Sequence, residues 1–285
     1  MQPLVVRSLT RDYRLVAEGE ASLGPLAALE CRPHLPDRDL PLVNVPVACE
    51  SGFLAMTLPD GQRVKGDAHH IIESWNQFLN RDTGRSHPGT AFVPAGSVIG
   101  DGGRILLVTG SPGDRSTLML DLLARGHRVE GDDHALVDWS SVTMRPRRLH
   151  APADLASRMS HGAYLLEGAP RFSGWHRQVS FAVDPSLPGQ PWTITTGPVA
   201  RLVFVEPNFG GRSVMGRMSP DAALARLLAL ALMPESQVPI ALAKLRGLAV
   251  STPAHALSLG DLDGAYRHLS RLLSGDGNGR RGPVQ

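Results

Sequence analysis

From residue 1 to about 85 the apolar positions fall in short runs divided by turn residues. Val43-Asn-Val-Pro-Val-Ala-Cys49 alternates weakly, and Gly52 to Gln62 reads as a strand ending in an Asp-Gly turn. One helix interrupts this β-rich stretch: Ala68 to Asn80 places Ile71, Ile72, Trp75, Phe78 and Leu79 at helical spacing. The middle of the chain has a different pattern. Ile105-Leu-Leu-Val-Thr109 is short and continuously apolar, as suits a strand buried on both faces. A Gly/Pro loop follows, then Leu118, Leu120, Leu122 and Leu123 on a helix expected to stop at Gly126, a glycine C-cap. Arg125 to Gly131 leads into Asp132-Asp133 and a second apolar stretch, Ala135-Leu-Val137. The order strand, glycine loop, helix, strand makes one βαβ unit. Further strands are expected at Val179–Val183 and Arg201–Glu206. Helices follow, one capped by Ser219-Pro220 and the last over Asp263–Leu273. Residues 275–285, rich in Gly and Arg, read as a frayed tail. The expected class is α/β or α+β, a mixed sheet flanked by helices, preceded by a β-rich region over 1–85.

Composition narrows the function classes. The 285 residues carry 29 basic and 27 acidic side chains, a net charge of +2 spread along the chain, so no basic footprint argues for nucleic acid. Cys31 and Cys49 form neither a disulfide framework nor a zinc spacing, and read as reduced thiols. The N-terminus lacks a signal-peptide pattern, and the apolar run Ala222–Met233, broken by Arg226, is too short for a bilayer; a cytoplasmic protein without a membrane partner is expected. Adjacent His69 and His70 point to different parts of a helix surface, so they do not make a metal pair. The four tryptophans Trp75, Trp139, Trp175 and Trp192 read as packing residues, since no basic stripe accompanies them. One imbalance matters later: Lys65 and Lys244 are the only lysines, against 27 arginines.

The candidate chemistry lies in Gly110-Ser-Pro-Gly-Asp-Arg-Ser-Thr117, between the apolar strand and its helix. A Walker A loop reads G-x-x-x-x-G-K-[ST] in that context, turning backbone N–H groups, a lysine and a hydroxyl toward phosphate and Mg2+. Gly110, Gly113 and a terminal hydroxyl are present; the second motif glycine and the lysine are not. Two alignments stay open. Without a gap, Ser116 stands for the lysine and Thr117 is the metal ligand. With one residue deleted, Arg115 is the cation and Ser116 the metal ligand. Arginine can hold a phosphate bidentately, but its planar fork does not reproduce a compact ammonium.

The surroundings carry a resemblance. Leu122-Leu-Ala-Arg-Gly-His-Arg-Val-Glu-Gly-Asp-Asp133 resembles the stretch after the Walker loop in bacterial HPr kinase/phosphorylase. His87, in Ser86-His-Pro-Gly-Thr-Ala91, resembles the histidine that this family places before the loop strand. Arg145-Pro-Arg-Arg-Leu149 is similar to a segment of HPr-kinase-related proteins from peptide-modification gene clusters. The resemblance covers about 85 to 150. It implies a phosphoenolpyruvate-carboxykinase-like P-loop domain over 86–274 and an ATP-dependent phosphotransferase acting on a serine of a small protein or peptide. By that analogy Gly110, Ser111, Pro112, Gly113, Asp114, Arg115, Ser116 and Thr117 bind the nucleotide. Asp132 is the base, His87 orients it, Arg115 stabilises charge, and Asp133 with Ser116 or Thr117 holds Mg2+. Gly210-Gly-Arg212 and Arg217 lie where later family arginines could fall. Hexamers in that family make a homo-oligomer one implied partner. The alternative is a relative that lost turnover with its lysine and binds a nucleotide, substrate or partner.

Overall fold

A computed structural model describes residues 2–36, 39–139, 141–156, 161–173, 178–233 and 237–275. In chain order it begins with β1 (Leu4–Arg7), β2 (Asp12–Ala17), a 3-10 turn over Gly24–Leu29, β3 (Leu42–Glu50), β4 (Phe53–Thr57) and β5 (Arg63–Gly66), then α1 (Ala68–Ser86). Next come β6 (Ala91–Gly100), β7 (Gly103–Val108), α2 (Pro112–Ala124), β8 (Arg128–Gly131), β9 (His134–Asp138), β10 (Ser141–Met144) and β11 (Leu149–Pro152). The remainder is α3 (Ala153–Ala156), a turn over Ala163–Leu166, β12 (Arg171–Ser173), β13 (Val179–Val183), β14 (Gly197–Pro198), β15 (Arg201–Pro207), β16 (Val214–Met218), α4 (Pro220–Leu230), α5 (Val238–Ser251), β17 (Ala254–Leu259) and α6 (Leu262–Leu273). The class is mixed α/β. Trp175 and residues 276–285 of the expected tail lie outside the described residues. Among those described, no helix is long and apolar enough to cross a membrane.

The N-terminal strands form a five-stranded sheet in the order β1-β2-β3-β4-β5. Asp67 starts α1 by accepting from the His70 N–H (2.9 Å), and the helix lays Ile71, Ile72, Trp75, Phe78 and Leu79 on the sheet's inner residues. Trp75 is fully buried edge-on to Tyr13 (centroids 5.4 Å apart, planes at 90°) and also packs on Phe78. The helix runs six residues beyond the expected Asn80 because polar bonds replace apolar contacts there. Thr83 Oγ1 donates to the Leu79 carbonyl (2.7 Å), and Tyr13 Oη donates to Asp82 (3.0 Å).

The central sheet has nine strands, ordered β14-β10-β9-β6-β7-β15-β17-β16, with β8 also on β6. Strands β7, β15 and β17 are parallel. Parity explains the continuous apolar runs. Leu106, Val108, Leu202 and Phe204 face α4 and α5, whereas Ile105, Leu107, Val203 and Val205 face α2 and α6. The βαβ unit is a split one, because β6 lies between β7 and its parallel partners β8 and β9. Strands β8 and β9 follow one edge of β6 and are interrupted at Asp132-Asp133, just after a register shift that leaves Glu130 of β8 unpaired opposite Ser97 and Val98. A third sheet, β11-β13-β12, lends Phe172 and Ala182 to the N-terminal core. That shared core joins α1 to the rest of the molecule.

Removing the aromatic keystone measures this coupling. Trp75→Ala should cost about 3–5 kcal/mol. Urea unfolding followed by far-UV circular dichroism checks it; a loss under about 1 kcal/mol would show that α1 is not held by this core.

Candidate functional site

The interruption between β8 and β9 places two adjacent carboxylates, each 2% exposed, at the C-terminal side of the strand–helix unit. Their surroundings differ. Asp133 receives Arg145 in a close ion pair, Arg147 Nη1 at 2.6 Å and His134 Nδ1 at 3.2 Å. Burial works against its charge, but Arg145, then His134 and Arg147, hold the carboxyl well below the usual carboxylate range. Asp132 accepts from the Ser116 hydroxyl through Oδ2, while Oδ1 is buried with no hydrogen-bond partner among the described residues. Burial pushes its carboxyl up, opposed by Arg115, Arg147 and the Ser116 bond. Two neighbours in sequence thus become a fixed anion and an adjustable one.

Helix α2 packs directly beside them. Its first turn starts at Pro112, so Pro112 to Thr117 are helical rather than an open loop, which corrects the expected eight-residue cradle. Asp114, third in the helix, accepts from Ser111 Oγ (2.5 Å), and the Ser111 N–H donates to Thr109 Oγ1 (3.1 Å). These bonds close the shortened turn on itself. Thr117 Oγ1 donates along its own helix to the Gly113 carbonyl (2.9 Å) and is absent from the cavity wall, so the ungapped alignment loses its metal ligand. The gapped one keeps Ser116 beside Asp132. Arg115 is buried, with Nε donating to the Asp132 carbonyl and Nη1 to the Thr109 carbonyl (3.1 Å). It braces the two main-chain segments of the site.

A cavity of about 470 Å3 opens between these elements and α1. Gly113, Arg115, Ser116, Asp132, Asp133, Arg145 and Arg147 line one side; Glu73, Asn76, Gln77 and Asn80 of α1 line the other. Asn80 Oδ1 also accepts from Arg145, joining α1 to the Asp133 ion pair. Arg147 reaches His150 as well (2.5 Å), and burial followed by Arg147 keeps that imidazole well below its ordinary pKa, hence neutral. His87 does not join the pair. It caps α1, its Nδ1 lies 3.2 Å from the Thr83 carbonyl, and the imidazole beside the carboxylates belongs to His134. No lysine enters from elsewhere: Lys65 lies 3.6 Å from Glu50 and Lys244 2.8 Å from Asp138. Gly210, Gly211, Arg212 and Arg217 do not line the cavity either.

The metal assignment changes with this geometry. Asp133, shared among Arg145, Arg147 and His134, has little charge left for a cation. Asp132, with an unpartnered oxygen next to the Ser116 hydroxyl, is the better donor. No cluster of three or more His, Cys, Asp or Glu side chains suited to a metal occurs among the described residues. A Mg2+ ion would therefore draw most ligands from phosphate oxygens and water, as that ion commonly does. Gly113 at the start of α2 and the Ser116 hydroxyl offer room for one phosphate group with its cation, approached from one side. They do not fit a loop wrapped around a whole triphosphate.

The α1 wall was not foreseen, although Glu73, Asn76, Gln77 and Asn80 recur at helical spacing opposite the apolar stripe. Such a polar face ordinarily meets solvent. Comparison with protein-family models and with curated proteins finds no match for this chain.

The two aspartates should respond oppositely to loss of charge. Asp133→Asn leaves Arg145 buried without its counter-ion and should cost about 3–5 kcal/mol at pH 7. Asp132→Asn should be neutral or stabilising at that pH, since burial disfavours the charge it removes. Chemical denaturation of both variants decides, and equal losses would contradict the division. The Asp133 carboxyl is depressed on folding, so its stabilisation is present above the ordinary carboxylate pKa and disappears as pH falls through the lowered value.

Proposed function

We propose that the protein is an ATP-dependent phosphotransferase that phosphorylates a serine hydroxyl of a small protein or peptide, on a phosphoenolpyruvate-carboxykinase-like P-loop fold resembling that of HPr-kinase-related proteins. A cytoplasmic setting suits that substrate pair. The observation carrying the reading is Asp132: its carboxyl is raised by burial, one oxygen is engaged by Ser116, and the other is unpartnered. This combination suits a proton acceptor working near neutral pH.

Asp132 Oδ1 takes the proton from the acceptor hydroxyl, while the bond from Ser116 keeps the carboxylate oriented. Gly113, at the start of α2, and Arg115 face the phosphate side; the Ser116 hydroxyl, backed by Asp132 Oδ2, stands where the cation would be held, which leaves Oδ1 to the proton. ATP with Mg2+ supplies the phosphoryl group and neutralises part of its charge. Arg147, held by Asp133, presents further positive charge at the cavity wall. Positioning and charge stabilisation are the main demands of phosphoryl transfer.

Ser111–Asp114 favours a second reading. The Asp114 carboxylate occupies the helix N-terminus that a phosphate would approach, and no lysine offsets it. A binding module without turnover would keep the cavity and lose the transfer.

Calorimetric titration with Mg·ATP and transfer of labelled phosphate to acceptor peptides distinguish the two. The kinase should bind ATP and transfer, and Asp132→Asn should lower transfer by about 10²–10⁴-fold. Its rate should fall as pH drops through the raised Asp132 pKa, above the ordinary carboxylate range, because the base must be ionised. Binding without transfer assigns the second reading; no binding of ATP overturns both nucleotide readings.

A further inference from the structure

A second cavity, of about 530 Å3, adjoins the first. The two share Asn80 and His134 in their walls, so they meet along the C-terminal half of α1. Their chemistry differs. The first holds the carboxylates, arginines and carboxamides; the second sets Pro88, Phe92, Leu232 and Met233 beside Arg81, Arg85 and Gln237. Leu232 is 58% exposed, yet its backbone is pinned to Phe92 by hydrogen bonds in both directions, at 2.8 and 3.0 Å. A large apolar side chain held rigidly toward an open hollow is a contact surface awaiting an apolar group. Along the first cavity α1 presents the carboxamides of Asn76, Gln77 and Asn80, the last of which also borders the second. A carboxamide donates and accepts, which matches the alternating groups of a peptide main chain.

We propose that the paired cavities form a track for an extended peptide: the α1 carboxamides read its main chain across the first cavity, and the second cavity takes a large apolar side chain flanking the target serine. The proposal rests on the phosphotransferase reading only for placing the serine near Asp132. A free amino acid would fill the first cavity alone and leave the apolar one empty. An extended segment, unlike a folded surface, can enter both hollows, and its apolar residue gains burial as it docks.

Gly84 offers a clean block. It lines the second cavity from α1, and a Cβ built on it meets nothing within 4 Å. Gly84→Phe should therefore fill the hollow while the helix keeps its backbone. The probe is an oriented library of fluorescein-labelled nonapeptides with a fixed central serine, read by affinity selection and then fluorescence anisotropy on the full chain without nucleotide. Leu, Met or Phe should be selected at one flanking position. Gly84→Phe and Leu232→Asp should each weaken the selected peptide at least tenfold, with the thermal midpoint and the Mg·ATP titration of Gly84→Phe unchanged. Binding indifferent to the flanking residue, or wild-type affinity in Gly84→Phe, overturns the track. Selective binding with no phosphate transfer would uphold the track and sink the phosphotransferase reading; transfer to every serine peptide alike would do the reverse.

Discussion

A carboxylate removed from water must be matched by positive charge, and Asp133 imposes that demand on much of this molecule. Its partners come from two places in the chain: His134 beside it, and Arg145 and Arg147 from the segment after β10. Arg145 in turn bonds Asn80, so the ion pair reaches α1 and the N-terminal sheet. The cavity exists because these elements are held around a shared charge and kept apart by the side chains that satisfy it. A second buried pair, Arg104 with Glu130, lies just before the carboxylates on β8. Glu130 accepts from Ser97 (2.7 Å), from the Thr195 hydroxyl (2.7 Å) and from the Thr195 N–H (2.9 Å), so its charge is consumed by structure. Asp132 differs from both because its Oδ1 has neither a hydrogen bond nor an ion pair among the described residues, whereas Asp133 Oδ2 is ion-paired to Arg145 and His134.

Much of the framework was legible because it is written in apolar periodicity. The runs at 105–109, 179–183 and 201–206 became strands, and the leucines after residue 117 fall in one helix, buried all round, that ends before Gly126, whose φ of +86° is the glycine conformation expected there. What the pattern could not carry was insertion and length. Nothing local in Ala91–Gly100 announces that it will separate the two strands of a βαβ unit. The last residues of α1 are polar, so no apolar stripe marks them. The Asp132-Asp133 pair was visible as a motif, but the division of labour within it depends on residues 14 and 16 positions away, which spacing alone does not rank.

The loop illustrates how composition and geometry answer one question differently. Few lysines made the missing Walker lysine conspicuous, and Arg115 was the natural substitute under the gapped alignment. Ser116 does lie beside Asp132, yet Arg115 directs its guanidinium to two carbonyl groups rather than standing as a free cation. Arginine's planar fork suits that bracing role, since several N–H groups can bind different acceptors at once. Positive charge at the cavity then depends on Arg147 as well, which approaches from a different strand connection. A compact helix turn with Asp114 at its N-terminus leaves room for less phosphate than the standard loop. Under the phosphotransferase reading, anion binding would then fall to side chains around the cavity more than to a backbone cradle.

Helix α1 carries the same argument into substrate choice. Its apolar face is spent on Trp75 and the N-terminal sheet, and that burial orients the opposite face without further adjustment. Because the helix is anchored over three turns, Asn76, Gln77 and Asn80 are presented at fixed spacing to the carboxylates across the cavity. The region that looked separate in sequence therefore supplies one wall of the cavity, held to the carboxylates through Asn80 and the buried ion pair of Arg145 with Asp133. Variation along that polar stripe could alter what enters the cavity while leaving Asp132, Ser116 and the fold intact.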